Sequence, residues 1–261
     1  MSDALEKLGK ILALADNGMT EGERDRALQV AEEMAAALGV DLAVARARHA
    51  DRSRRESAVK RQVRIGDERS RYNAYLVQLF VSIAEPHDVI VTVGWRNLYV
   101  FGYGLPSDLA IVEALYGVAA VRMVADADAA LRRGLQKTAG WYGSPVDGRV
   151  YRAHFYDGYR SKLQTRLWEA RHKAIRNATV GSSGDPGTAL VLRDKAKEVR
   201  EFYEAATHHW SRRGTWKPPR RDDYVRDAVE QGAGSAAATD LQLEGRVGAS
   251  RQAGELNGGR N

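Results

Sequence analysis

Two arginine-rich stretches and one cluster of histidine, tyrosine and aspartate are where this sequence could do chemistry. The segment Trp210-Ser211-Arg212-Arg213-Gly214-Thr215-Trp216-Lys217-Pro218-Pro219-Arg220-Arg221 mixes cations with two indoles, the combination that neutralises phosphates while stacking on bases. The same indoles could instead pin the end of a helix to the core and leave the guanidiniums in water. The second stretch, Arg46 to Arg71, holds ten Lys/Arg against four Asp/Glu. Within it Arg52, Arg54, Arg55, Lys60 and Arg61 are candidate phosphate contacts, because each neutralised phosphate releases counterions without any reading of sequence. A solvated linker with interleaved acids explains the same residues.

His154, Tyr156, Asp157, Tyr159 and Arg160 offer acid and base groups within one helical stretch, although adjacent residues of a helix point in different directions. A structural role is the expectation there. Glu204 precedes His208-His209 by one turn, yet the chain has no pair of histidines one turn apart with a glutamate beside the first, so no zinc site is expected. Gly102-Tyr103-Gly104 follows a strand and precedes a helix, but Ser107 stands where a dinucleotide loop carries its third glycine. Gly181-Ser182-Ser183-Gly184 lacks the Gly-Lys-Ser/Thr ending of a phosphate loop. No metal and no cofactor are expected.

The elements that must position these groups follow from periodicity and punctuation. Leu5, Leu8, Leu12 and Ala15 recur at helical spacing until Asn17-Gly18, and Thr20 with Glu23 forms a capping-box signal for a second helix. That helix carries Ala27, Val30, Ala31, Met34 and Leu38 on one face as far as Gly39, and Asp41 caps a short third. Leu76, Leu79, Phe80 and Ile83 predict a helix ending near Pro86. The β-branched run Val89 to Val93, the polar Gly94 to Asn97 and then Leu98 to Phe101 predict a β-hairpin that Gly102 and Gly104 terminate. Pro106 opens a long helix running to about Gly134. Phe155, Tyr159, Leu163, Leu167, Ala170 and Ala174 mark another, on which Arg160, Arg171, Lys162, Arg166 and Lys173 read as cations snorkelling beside an apolar stripe. Ala189-Leu190-Val191-Leu192 reads as a third short strand, before a charged helix with Val199, Phe202 and Ala206.

The fold class expected is α+β and predominantly helical. It divides as a helical hairpin module over 1–49, a basic linker over 50–71, an α+β domain over 72–213, and a basic segment with a tail over 214–261. The last thirty residues are rich in Gly, Ala, Ser and Gln, which predicts disorder or a peripheral helix. Of the 261 residues 44 % are apolar, without any run long enough for a membrane span, and the start lacks the pattern of a signal peptide. Cysteine is absent, which excludes disulfides and thiolate chemistry and suits a reducing cytoplasm. The formal net charge of +6 has the sign expected for meeting nucleic acid or another acidic partner.

Leu5-Glu6-Lys7-Leu8-Gly9-Lys10-Ile11-Leu12-Ala13-Leu14-Ala15, followed by Ala27 to Met34 and Gly39-Val40, resembles the domain-of-unknown-function family 2786. The second unit, with Tyr151-Arg152-Ala153-His154-Phe155-Tyr156-Asp157-Gly158-Tyr159 and later Ala189 to Leu192, is similar to its companion, domain-of-unknown-function family 7168. The resemblance implies a phage or prophage origin and supplies neither an activity nor a catalytic residue. Together these features lead to the expectation of a non-enzymatic accessory protein that binds nucleic acid or a host nucleic-acid-associated protein. Two alternatives stand beside it: a hydrolase-like enzyme around His154, Asp157 and Arg160, and an effector that meets a host protein through the hairpin's apolar edge.

Overall fold

A computed structural model describes residues 11, 26, 29–39, 57–68, 70–181, 187–208, 216 and 225–237. Helix α1 covers 29–39, β1 Val59–Arg64, α2 Asn73–Ala84, β2 Ile90–Val93, β3 Tyr99–Gly104, α3 Pro106–Arg132, α4 Gly148–Gly181, α5 Gly187–Thr207 and α6 Arg226–Ala237. The protein is a predominantly helical α+β fold with one small antiparallel sheet, as its composition of elements led us to expect. The strand order is β1-β3-β2, so β3 is central. Opposed pairs include Lys60 with Tyr103, Gln62 with Phe101 and Arg64 with Tyr99 on one side of β3, and Ile90 with Tyr103 and Thr92 with Phe101 on the other.

One apolar cluster joins α1, the sheet, α2, α3, α4 and α6. It runs from Ala31 and Ala35 through Val77, Phe80, Ile83, Val100, Leu109, Val112 and Met123 to Phe155, Tyr159, Ala228 and Ala236. Ala31, Met34 and Leu38 of the expected second helix pack on it, whereas Val30 is exposed. The first helix, its capping box and the third helix at Asp41 lie outside the described residues, apart from Ile11, which packs on the same cluster. The helix ending near Pro86, the hairpin and the long helix opened by Pro106 all form where periodicity placed them. Gly134, at φ +79°, ends the turn after α3 in a conformation that favours glycine.

Four expectations are corrected. The stretch read wholly as a linker contains β1, whose side chains alternate between half-buried Val59, Arg61 and Val63 and exposed Lys60, Gln62 and Arg64. Ala189 to Leu192 is no strand but the first turns of α5, because the apolar spacing that runs through Leu192, Val199 and Phe202 is helical. The hairpin's second strand ends at Gly104, as expected, but Gly102 does not terminate it and lies inside β3. A Cβ on Gly102 would meet Leu109 Cδ2 at 2.7 Å, and one on Gly104 would meet Val89 Cγ2 at 2.9 Å, so their lack of a side chain lets α3 and Val89 close on the sheet. Within the supposed tail, α6 docks along α4. There Ala228, Gly232 and Ala236 form a buried row, and Gly158 on α4 lies against the α6 backbone at Val229.

Candidate nucleic-acid interface

The inner face of the sheet, Val100, Gly102 and Val63 among others, rests on the helices. Side-chain alternation along an antiparallel strand therefore turns the other row of β3, Tyr99, Phe101 and Tyr103, to the outer face. Tyr99 and Phe101 are half-buried there. Lys60 and Arg64 stand exposed beside them on the edge strand β1, with Lys60 Nζ 4.5 Å from the centre of the Phe101 ring. Beyond the other end of the row lies the hairpin turn, where Trp95 is exposed and the Arg96 guanidinium sits 4.4 Å from the indole centre. Aromatic faces between cations on an antiparallel sheet form a surface on which bases can stack while phosphates are neutralised. Two buried hydroxyls on this face, Thr92 Oγ1 and the phenol of Tyr103, have no hydrogen-bond partner among the described residues.

Of the residues singled out from sequence, Lys60, Arg61 and Trp216 are described; Arg52, Arg54, Arg55, Trp210, Arg212, Arg213, Lys217, Arg220 and Arg221 lie outside the described residues. Adjacent in a strand, Lys60 and Arg61 point to opposite faces, and Arg61 is paired with Glu113 of α3 at 3.2 Å. They cannot serve one surface. Trp216 is half-buried against the core and its indole N–H donates to Asn97 Oδ1 at 2.8 Å. It thus fastens to the hairpin turn, where Arg96 and Asn97 both have positive φ. The fold brings Lys60 and Trp216, distant in sequence, to the same sheet: Lys60 to its edge and Trp216 to its end. Tyr99 and Phe101 were missed as site residues. Their trace in the sequence is an aromatic at every second position from 99 to 103.

His154 and Asp157 lie inside α4 at only 2 % and 5 % exposure, and Arg160 donates to Ser82 Oγ at 3.2 Å. Burial lowers the pKa of the Arg160 guanidinium from its usual value. The group is packed between helices. Two of the cations read as snorkelling are half-buried ion-pair partners instead: Arg166 pairs with Glu32 of α1 at 3.0 Å, and Arg171 binds both oxygens of Asp88 at 2.8 and 2.9 Å. His208 Nδ1 lies 2.8 Å from the Ala205 carbonyl at the end of α5. Among the described residues no group of three or more histidines and carboxylates could hold a metal ion.

A further polar cluster lies under α5. Lys195 Nζ is 2.9 Å from Asp108 Oδ2 and 3.4 Å from Asp88 Oδ2, and the Asp88 carboxylate also takes Arg171. His87, buried beside them, has its pKa pushed down to about 3, chiefly by burial and then by the nearby Lys195 and Arg171, with Asp88 opposing. A cleft of about 650 Å³ between α3 and α6 is lined by Arg122, Asp126, Arg132, Arg133, Glu230 and Ser235, where Arg122 and Ser235 both bind Asp126.

Among known proteins, no family model, no curated protein and no solved structure matches this chain. No helix among the described residues is long and apolar enough to cross a membrane.

Proposed function

We propose that the protein binds single-stranded nucleic acid without catalysing a reaction, with the outer face of the sheet as the contact surface. The observation that carries this reading is the row Tyr99–Phe101 on the central strand, set between Lys60 and Arg64 on one edge and Trp95–Arg96 at the turn. Bases stack on the rings, and the cations beside them neutralise the backbone; such a surface tolerates many sequences because every base has a face to stack. Trp216, anchored at Asn97, adds a second indole at the turn end of the sheet, which supports a longer contact with a bound strand. The setting is the cytoplasm of a host cell and the role that of a phage or prophage accessory protein, the latter supported by the resemblance of the helical and α+β units.

Fluorescence anisotropy with labelled oligo-dT and oligo-U across a salt series tests this. Binding should weaken steeply with salt. Truncating both rings in Tyr99→Ala/Phe101→Ala should remove about 1–3 kcal/mol per stacked base with little change in the salt slope. Lys60→Ala should lower that slope by about one ion. No binding at low salt, or an affinity indifferent to salt and to these substitutions, would overturn the proposal.

A further inference from the structure

Helix α5 is attached to the body differently from the other described helices. Among the described residues, none of those on α5 belongs to the apolar cluster that α1, α2, α3, α4 and α6 share. Leu192 forms a small cluster of its own with Val191, Ala174 and Ile175. Beside the buried Val199, α5 has an ionic anchor: Lys195, 4 % exposed, is held between Asp108 at the first turn of α3 and Asp88 at the corner after α2. Taking these charges out of water offsets much of their attraction, so a buried ion cluster fixes one geometry while adding less net stability than apolar packing of the same volume. Two turns further along α5, Phe202 and Tyr203 lie over Tyr103, with ring centres 6.4 and 5.1 Å away. Tyr103 is the third aromatic of the outer row. Beneath α5 its ring is wholly buried and its hydroxyl has no partner among the described residues, an unfavourable state that displacement of α5 would relieve.

We infer that α5 is a displaceable cover on the sheet's outer face, competing with a nucleic-acid base for Tyr103, and that Lys195 between Asp108 and Asp88 is the latch that holds it closed. This rests on the proposed single-strand binding by that face. With α5 in place the platform offers Tyr99 and Phe101; with α5 displaced it offers three aromatics in a row and a free tyrosine hydroxyl to hydrogen-bond a base. Elements held by few shared apolar contacts open at lower free energy than the core, which makes α5 the element a ligand can move.

Two variants loosen the cover by different means. Lys195→Met removes the latch, and Phe202→Ala/Tyr203→Ala removes the rings over Tyr103 while leaving every buried charge paired, so the second carries the test should the first fail to fold. The probe is labelled oligo-dT at low salt, with amide hydrogen exchange measured over 190–207 and over α2 and α3. Each variant should bind about tenfold more tightly, because a ligand's apparent affinity is reduced by the fraction of protein that is closed to it. Exchange should accelerate in α5 alone, and adding Tyr103→Ala to the double variant should cancel its gain. Accelerated exchange in α5 with unchanged or weaker binding would overturn the cover while leaving the binding face intact. Absence of binding by the wild type and both variants would overturn the single-strand reading and the cover with it.

Discussion

Replacing Gly158 or Gly232 with alanine sets two known effects against each other. In an exposed helix interior alanine is favoured over glycine by about 1 kcal/mol. At Gly158, however, the new Cβ would fall 1.9 Å from the Val229 carbonyl oxygen, and at Gly232 it would fall 2.0 Å from the carbonyl oxygen of Phe155. A carbon and a carbonyl oxygen in favourable contact stand about 3.4 Å apart, so α4 and α6 must separate by roughly 1.5 Å. Both obstructing atoms are backbone in helix interiors, and no rotamer change moves them. Overpacking of this kind typically costs about 1–3 kcal/mol, and separation along the whole Ala228–Gly232–Ala236 row places these sites at the upper end. The net expectation, after the propensity gain, is a loss of about 2 kcal/mol concentrated in α6. Gly117 in α3, whose added Cβ would meet nothing within 4 Å, is the control, and Gly117→Ala should gain up to about 1 kcal/mol. Urea denaturation gives the stabilities and hydrogen exchange of the 228–236 amides locates the loss. If Gly158→Ala and Gly232→Ala matched Gly117→Ala in stability, with α6 equally protected, the close seam between α4 and α6 would be refuted.

Acidification should act through His87, which lies among Asp88, Asp108, Lys195 and Arg171 and remains neutral in the fold down to about pH 3. Between its unfolded value near 6.5 and that pH the unfolded chain binds the extra proton, so the contribution is intact above pH 6.5 and is lost as pH falls, by about 1.4 kcal/mol per unit. The stability difference between wild type and His87→Leu, measured by denaturation from pH 7.5 to 5, should change by about 2 kcal/mol in favour of the variant; a constant difference would rule the effect out. The pair of buried Glu32 and half-buried Arg166 ties α1 to α4, and Arg166 also donates to the Ala236 carbonyl of α6. Glu32→Gln should cost about 3 kcal/mol because it strands a half-buried guanidinium, while Glu32→Gln/Arg166→Met should recover much of it; equal single and double losses would show that the pair is not coupled.

Where burial and backbone geometry coincide with local pattern, the sequence could be read directly. Leu79, Phe80 and Ile83 share one helical face and lie in the core, and the β-branched run ending at Val93 is a strand because it packs against that core. The failures occur where tertiary contact overrides local pattern. Val59 and Val63 are four apart with Lys60, Arg61 and Gln62 between them, a spacing that conceals a strand. The strand forms because its six residues pair in register with β3 while Val59 and Val63 pack on the core, and Arg61, on the same inward row, reaches Glu113 fifty-two residues away. In α6, alanine and glycine resemble solvated low-complexity sequence, yet their four-residue spacing allows two backbones to approach where larger residues could not.

The candidate site was legible to a different extent. Charge drew attention to Lys60 and Arg61 equally, but strand alternation sends neighbours to opposite faces, so composition could not tell the surface cation from the one paired to α3. The more informative signal was periodicity of type rather than of charge. Tyr99, Phe101 and Tyr103 repeat at the strand period on the row turned from the main core, where α5 covers Tyr103 and leaves Tyr99 and Phe101 half-buried. Lys195 left a comparable trace, a cation interrupting the apolar face between Leu192 and Val199. Its partners Asp88 and Asp108 are about a hundred residues earlier, and only folding brings them within reach. A polar residue on an apolar helical face and an aromatic row on a strand are therefore the joint pattern by which α5 and the sheet are packed together, through Lys195 at Asp88 and Asp108 and through Phe202 and Tyr203 at Tyr103.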